Sequence, residues 1–407
     1  MTKIIIVILV LIVIIASILM FGRGWYTRLA DSSPERLVEQ IDHSFGGDVI
    51  IIGAGASGLA AANALKRNGV EFTILEATDH YGGRVQKNAE FADFPIDLGA
   101  EWIHHDAPIL NRLIGSDADE PPVELIAYTP NEIYAWDGEE LSPISKAEIA
   151  LGQWSYPEYK FKNTTWYDFV DQHFAQPVKD QMIFNQVVAR IDYRGDRVVI
   201  TTRDGQDYRA DKVIVTVSPA VLQTDVISFL PTLTSERLDA INSIELLPGF
   251  KLFLKFERDF YADIVEFTTE DGDRTYIDAA FGKDSNDHVM AVLVTGSAAS
   301  EFYDLGDETA IVQGMIAELD LIYDGQASDA FTGDFVLTDW GRHAYTLGTW
   351  TGDLGDQAQM NLMRAPIDGK VYFAGASLQR HGQEGTVHGA IMSGYDVVKD
   401  LLEAPSD

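Results

Sequence analysis

The sequence contains no cysteine among its 407 residues. That absence excludes disulfides, thiolate metal sites, cysteine nucleophiles and any cofactor attached through a thioether. Basic residues are scarce beside acidic ones, Lys+Arg 30 against Asp+Glu 63, which gives a formal net charge of −33. Such a surface repels phosphate backbones and excludes a nucleic-acid partner. It attracts cations, protonated amines included, although a purely solvating acidic surface explains the same composition. Glycine (34) and proline (14) are not enriched, so collagen-like and disordered chains are excluded. The nine histidines fall in no H-E-x-x-H or paired-carboxylate spacing, and no metal site is expected. G-x-S-x-G is also missing, which leaves a hydrolase reading without support. The chain is rich in apolar surface: 46% hydrophobic and 11% aromatic residues, enough for a large core and two or three domains.

Ile4 to Phe21 is apolar throughout except for Ser17. As a helix it would span roughly 27 Å, close to the thickness of a bilayer core. The adjoining Gly22-Arg23-Gly24-Trp25-Tyr26 has no small-x-small cleavage site, so a retained transmembrane anchor over 1–22 is expected rather than a signal peptide. Trp25 and Tyr26 suit the interfacial belt. Lys3 on one side and Arg23 and Arg28 on the other give a charge bias too small to set the orientation, but no twin-arginine signal is present for export of a domain already folded around a cofactor. The globular part is therefore expected on the cytoplasmic face, joined by a polar linker over 23–47 with a short helix after Ser32-Ser33-Pro34-Glu35.

Asp48 to Ile52 reads as a buried parallel strand. It runs into Gly53-Ala54-Gly55-Ala56-Ser57-Gly58, then a helix over Leu59 to Arg67, a second strand over Val70 to Leu75, and Glu76. Gly53 permits the tight turn, Gly55 lets the backbone approach a pyrophosphate, and Gly58 lets helix and strand pack closely. Phosphates sit on the free N–H groups of the helix start, and Glu76 accepts from ribose hydroxyls. Spacing alone leaves FAD and NAD both open.

Two further groups of residues narrow the choice. His80-Tyr81-Gly82-Gly83-Arg84 precedes Asp97-Leu98-Gly99-Ala100-Glu101-Trp102-Ile103-His104-His105. Near the other end, Gly369 to Gly375 reads as a strand and Gly385-Thr386-Val387-His388-Gly389-Ala390 opens a last helix, Ile391 to Leu402. In these stretches the sequence resembles the flavin-dependent amine oxidases, a family that includes monoamine oxidases, polyamine oxidases and lysine-specific histone demethylases. The resemblance implies an α/β fold: a Rossmann-like FAD-binding domain with a parallel sheet (48–106, 181–225 and 341–407), and an inserted α+β substrate domain (107–180 and 226–340). It implies FAD bound non-covalently, a small-molecule amine as substrate and O₂ as acceptor. Arg84 would contact cofactor phosphates or flavin, and Gly83, Gly99, Ala100, Glu101 and Trp102 would lie along the cofactor. Val188 would meet the adenine through its backbone. Gly375, Ala376, Gly385, Thr386 and Val387 would close the site, with the last helix start stabilising negative charge on the reduced ring. In the family a glutamate comes after the glycine at the position of Gly375, and here Ala376 stands there.

Between these ends, Val187 to Ile191, Val198 to Thr201 and Lys212 to Val217 read as short strands, and further strands are expected at Tyr276 to Phe281, Val289 to Thr295 and Asp334 to Trp340, with a helix over Glu308 to Tyr323. Alternation in Phe250-Lys251-Leu252-Phe253-Leu254-Lys255-Phe256 puts Lys251, Phe253 and Lys255 on one face. By pattern, Lys251 reads either as a solvated strand-face lysine or as a buried one; the resemblance implies a lysine holding a water against the flavin, and Lys255 as the solvated one. The resemblance also makes Trp350 one wall of an aromatic cage whose second wall falls on Thr386, leaving it open-sided. His104 either tunes the amine's protonation or is structural. Trp166, Tyr167 and Phe169 are expected to pack. A desaturase or oxidase of a lipophilic compound, and a membrane-tethered flavin protein without catalysis, are the alternative readings of the same scaffold; an amino-acid oxidase has only Arg342 as a remote carboxylate partner.

Overall fold

The computed structural model describes residues 40–404 except 156, 225, 270, 271 and 381. In chain order the elements that build the site are β1 (Asp48–Ile52), α1 (Ala56–Arg67), β2 (Glu71–Leu75), β3 (Met182–Ile183), β4 (Lys212–Val215), β5 (Gly249–Phe256), β6 (Val371–Phe373) and α2 (Val387–Glu403). Strands β6-β4-β1-β2-β3 form one parallel sheet in that order. The unbroken apolar run of β1 is explained by burial on both faces. Val49 and Ile51 pack against α1 and α2, while Ile50 and Ile52 pack against a four-stranded sheet that contains Val188–Asp192 and Val198–Thr202.

The second large layer is a seven-stranded, mostly antiparallel sheet running Phe331–Thr338, β5, His288–Thr295, Gly272–Asp278, Ile264–Thr269, Ile133–Trp136 and Leu141–Pro143. The alternation in β5 divides its side chains as the pleat requires. Phe250, Leu252, Leu254 and Phe256 face the core beneath the helix Glu308–Ile322, and Phe253 joins Phe94, Tyr128 and Ile277 on the other face. Lys251 is buried on that second face. Lys255 is not freely solvated: it is half-buried and paired with Asp287 at 2.9 Å. Trp166 and Phe169 are buried and Tyr167 stacks on Tyr81, so these three aromatic rings do pack.

Several boundaries move. The first helix begins at Ala56 rather than Leu59, because Gly55 is extended and serves as the N-cap. The strand expected at Tyr276 to Phe281 is Gly272–Asp278, set by its hairpin with Ile264–Thr269, and the one expected at Asp334 to Trp340 is Phe331–Thr338. The last helix starts at Val387, capped by Thr386. Asp207–Ala210, a short alternating segment not expected as a strand, adds an edge strand to the four-stranded sheet. Among the described residues no helix is long and apolar enough to cross a membrane. The apolar run Ile4 to Phe21 and the short helix expected after it lie outside the described residues.

Helices α1 and α2 cross so closely that a Cβ added at Gly394 would lie 2.3 Å from the backbone oxygen of Ser57 and 2.9 Å from the side chain of Ala60. A methyl there cannot fit without moving one helix. Gly394→Ala is therefore expected to cost about 1–3 kcal/mol, read from the denaturant midpoint at unchanged slope.

Candidate functional site

The turn after β1 is locked from both sides. Gly53 N–H donates to Leu75 O at 2.9 Å, tying the turn to the end of β2. A Cβ at Gly58 would lie 2.0 Å from Gly53 O, so only glycine lets α1 begin against the strand. At Gly55, by contrast, a Cβ would meet nothing within 4 Å. No side chain caps the start of α1, no acid sits in its first turn, and the buried Ser57 hydroxyl has no partner among the described residues. Open amides at a helix start with an idle hydroxyl beside them form a receptor for phosphate. Glu76 is held rigidly: Oε2 accepts from Ala54 N at 2.7 Å, and Oε1 accepts from Thr78 N and Thr78 Oγ1 at 2.9 and 2.8 Å. Arg84 donates to Thr349 O at 2.6 Å and has no acidic partner among the described residues. Desolvation pushes its pKa down with no neighbouring anion to offset the cost. A desolvated cation is normally paired, and an anionic pyrophosphate supplies what is missing here. These features fit a dinucleotide held by Gly55, Ser57, Glu76 and Arg84.

The turn opens into a cavity of about 480 Å³. Every residue that the sequence assigns to the cofactor or to the reaction lines this cavity, except Gly58, which packs behind it. Val188 and β5 bring their contributions from opposite sheets. Ala376 lies on the wall and brings no carboxylate; the adjoining polar groups are tied up, with Gly375 N donating to Ser393 Oγ at 3.0 Å and Ser377 Oγ within 3.1 Å of Thr351 Oγ1.

Three rings gather on the cavity wall. Trp350 is 42% exposed and meets His104 edge-on at 6.1 Å, and His104 lies 6.5 Å from Trp102 at 24°. His104 Nδ1 is 2.7 Å from Glu158 Oε1. Thr386 brings no ring: its hydroxyl accepts from Gly389 N at 3.0 Å and donates to Gln383 O at 2.8 Å, which fixes it as the cap of α2. Arg342 is engaged by Asp339 at 2.5 Å and stacks over Tyr303, so it is not free for a carboxylate.

Beneath Trp102 lies a buried charge cluster. Lys251 Nζ donates to Asp97 O, Gly99 O and Glu101 Oε2 at 2.8, 3.2 and 2.5 Å, and Lys160 Nζ lies 2.5 Å from Glu101 Oε1. The expectation that Lys251 holds a water is corrected in one respect: all three of its donors already have protein acceptors. Glu158 and Lys160 escaped the sequence reading. Glu158 had no local signal, because it meets His104 only through the fold. Lys160 had one, since Tyr159 and Phe161 flank it much as Phe250 and Leu252 flank Lys251.

The Asp97 carboxyl is buried and accepts from Trp166 N at 3.1 Å. Burial first, and then the charge of Glu101, pushes its pKa well above the usual carboxylate range, against the pull of Lys251 and Lys283. A carboxyl raised on folding contributes stability below its unfolded pKa near about 4, and that contribution is lost as pH rises through the folded value. Asp97→Asn keeps the acceptor and removes the titration. Its melting temperature relative to the parent should rise between about pH 5 and pH 8; a pH-independent difference would refute the assignment.

The chain matches the family model of flavin containing amine oxidoreductases over residues 56–158 and 160–402. Polyamine oxidase 1 of Zea mays is 26% identical, covering 87% of this chain and 90% of its own length. Lysine-specific histone demethylase 2 of Homo sapiens is 26% identical over 85% of this chain and 52% of its own length, so the chain spans about half of that protein. Cyclohexylamine oxidase from Brevibacterium oxydans IH-35A shares the fold, with a TM-score of 0.70 at 18% identity over 88% of this chain and 99% of that one. Since the match covers the start of α1, the charge cluster and the closing helix alike, the chain belongs to the flavin containing amine oxidoreductase family and is an FAD-dependent amine oxidoreductase whose flavin is held without a covalent bond.

Proposed function

We propose that the enzyme oxidises the C–N bond of a small amine, a monoamine or a polyamine, and that O₂ is the electron acceptor. The observation that carries this reading is the His104–Glu158 pair facing Trp350, with His104 and Trp350 both lining the cavity. The flavin, when bound, takes a hydride from the carbon next to nitrogen. That step requires a neutral amine, because the nitrogen lone pair must assist departure of the hydride. At neutral pH an aliphatic amine arrives as a cation, drawn by the acidic surface. Trp350 offers a ring face to the cation. With its Nδ1 hydrogen directed to Glu158, His104 has Nε2 free as an acceptor, and Glu158 stabilises the imidazolium formed when the ammonium proton arrives. Trp102 and Trp350 limit water around the substrate. Arg84, Ser57 and the start of α1 would hold the cofactor phosphates, and Glu76 the ribose.

Anaerobic mixing with a panel of amines tests this. Loss of the oxidised flavin band with one class of amine is expected. His104→Asn should slow that bleaching about 100-fold near neutral pH. The deficit should shrink above the amine's own pKa, where no proton has to be removed. A yellow protein that no amine bleaches, or a deficit that is the same at every pH, would overturn the reading.

We also propose that the apolar sequence from Ile4 to Phe21 tethers the enzyme to a membrane, with the catalytic part on the cytoplasmic side. Full-length protein should then sediment with membranes and resist extraction by alkaline carbonate. Recovery of the full-length chain in the soluble fraction refutes the tether, and digestion of the catalytic part by protease added outside intact cells refutes the cytoplasmic side.

A further inference from the structure

An ammonium has three N–H donors and no acceptor. Lys251 spends one on each of Asp97 O, Gly99 O and Glu101 Oε2. Glu101 in turn is bridged, with Oε1 against Lys160 and Oε2 against Lys251, both at 2.5 Å. The three side chains are 2% (Lys251), 6% (Glu101) and 1% (Lys160) exposed, so water does not compete for these contacts. Lys160 is seated between the faces of Trp102 and Tyr128, at 5.5 and 5.1 Å from their centroids, which fixes the far side of the bridge. Burial by itself would raise the Glu101 carboxyl, but the two lysines outweigh it and bring it to about 2, so Glu101 is an anion throughout the working range. A carboxylate is a far better acceptor for an ammonium than a water molecule is. Lys251 and Glu101 both line the cofactor cavity, so the cation presented to the cavity there is a latched one.

We propose that Glu101 is a positioning residue that latches Lys251 as a fixed charge with no N–H free for a water or for dioxygen, and thereby slows oxidation of the reduced flavin by O₂. In that half-reaction two electrons and two protons pass to O₂, which becomes H₂O₂ while the flavin returns to its oxidised form. The first electron makes superoxide, whose charge a cation with a free donor would stabilise through a charge-assisted hydrogen bond. A latched lysine has no donor to offer. The inference rests on the flavin oxidase reading for the presence of the flavin, and not on an amine being the substrate.

The test uses full-length holoenzyme reduced by light or dithionite and mixed with oxygenated buffer, so it stands apart from the amine-bleaching experiment. Glu101→Met/Lys160→Met removes one anion and one cation together, which keeps the net charge of the cluster and frees one N–H of Lys251. In the parent chain Lys251→Met should change the reoxidation rate constant by less than about threefold, and in the double variant the same substitution should lower it about tenfold or more. The dissociation constant for sulfite, which adds to the flavin at equilibrium without turnover, should show the same dependence on background. Equal effects of Lys251→Met in both backgrounds would overturn the proposal. If the double variant fails to fold, Glu101→Leu/Lys160→Leu likewise removes the acceptor together with the balancing charge and is read in the same way.

Discussion

Three segments far apart in sequence meet at one carboxylate. Glu101 lies just past the glycine turn at Gly99, Lys160 comes from the strand Tyr159–Phe161, and Lys251 comes from the centre of the seven-stranded sheet. A buried charge left alone costs several kcal/mol, about 3–5 when one partner of a buried pair is removed. The cluster therefore fixes how these three segments pack against one another as firmly as any apolar contact does. Trp102 lies over it, and the backbone carbonyls of Asp97 and Gly99 are drawn into it. The cavity wall formed by Gly99, Glu101, Trp102 and Lys251 is a consequence of that arrangement.

The wall beside the phosphate turn obeys the reverse rule. A cation, Arg84, whose backbone adjoins Gly99 and Ala100, has been brought in without an acidic partner among the described residues, and the start of α1 carries no side-chain cap and a buried hydroxyl without a hydrogen bond. Each of these is an unmet electrostatic demand that the pyrophosphate of FAD would meet. The fold thus pairs the charges of the Glu101 cluster and leaves unpaired those that fit a phosphate. α2 begins with Thr386 satisfying its own cap, so this helix start contributes its dipole without a side-chain wall. The place of a second cage ring stays open.

Much of this was legible in the chain. The run Asp48 to Ile52, the glycines to Gly58 and the acid at Glu76 are local features whose spacing is dictated by strand, turn and helix geometry, and the structure places them as expected to within a few residues. The two-residue period of β5 put Lys251 opposite the Phe250 face because a pleat leaves no other choice. Boundaries were less legible: where a strand ends depends on its partner, as with Gly272–Asp278, whose limits are set by Ile264–Thr269.

The sequence by itself determined the elements, the order of the dinucleotide turn, and the pairing of apolar faces, because these depend on contacts within a few residues. Only the tertiary structure decided that Glu158 orients His104, that Glu101 bridges Lys160 and Lys251, and that Arg84 has no acidic neighbour among the described residues. Each of those depends on charges separated by tens to hundreds of positions along the chain, and their energies exist only once burial has lowered the dielectric around them.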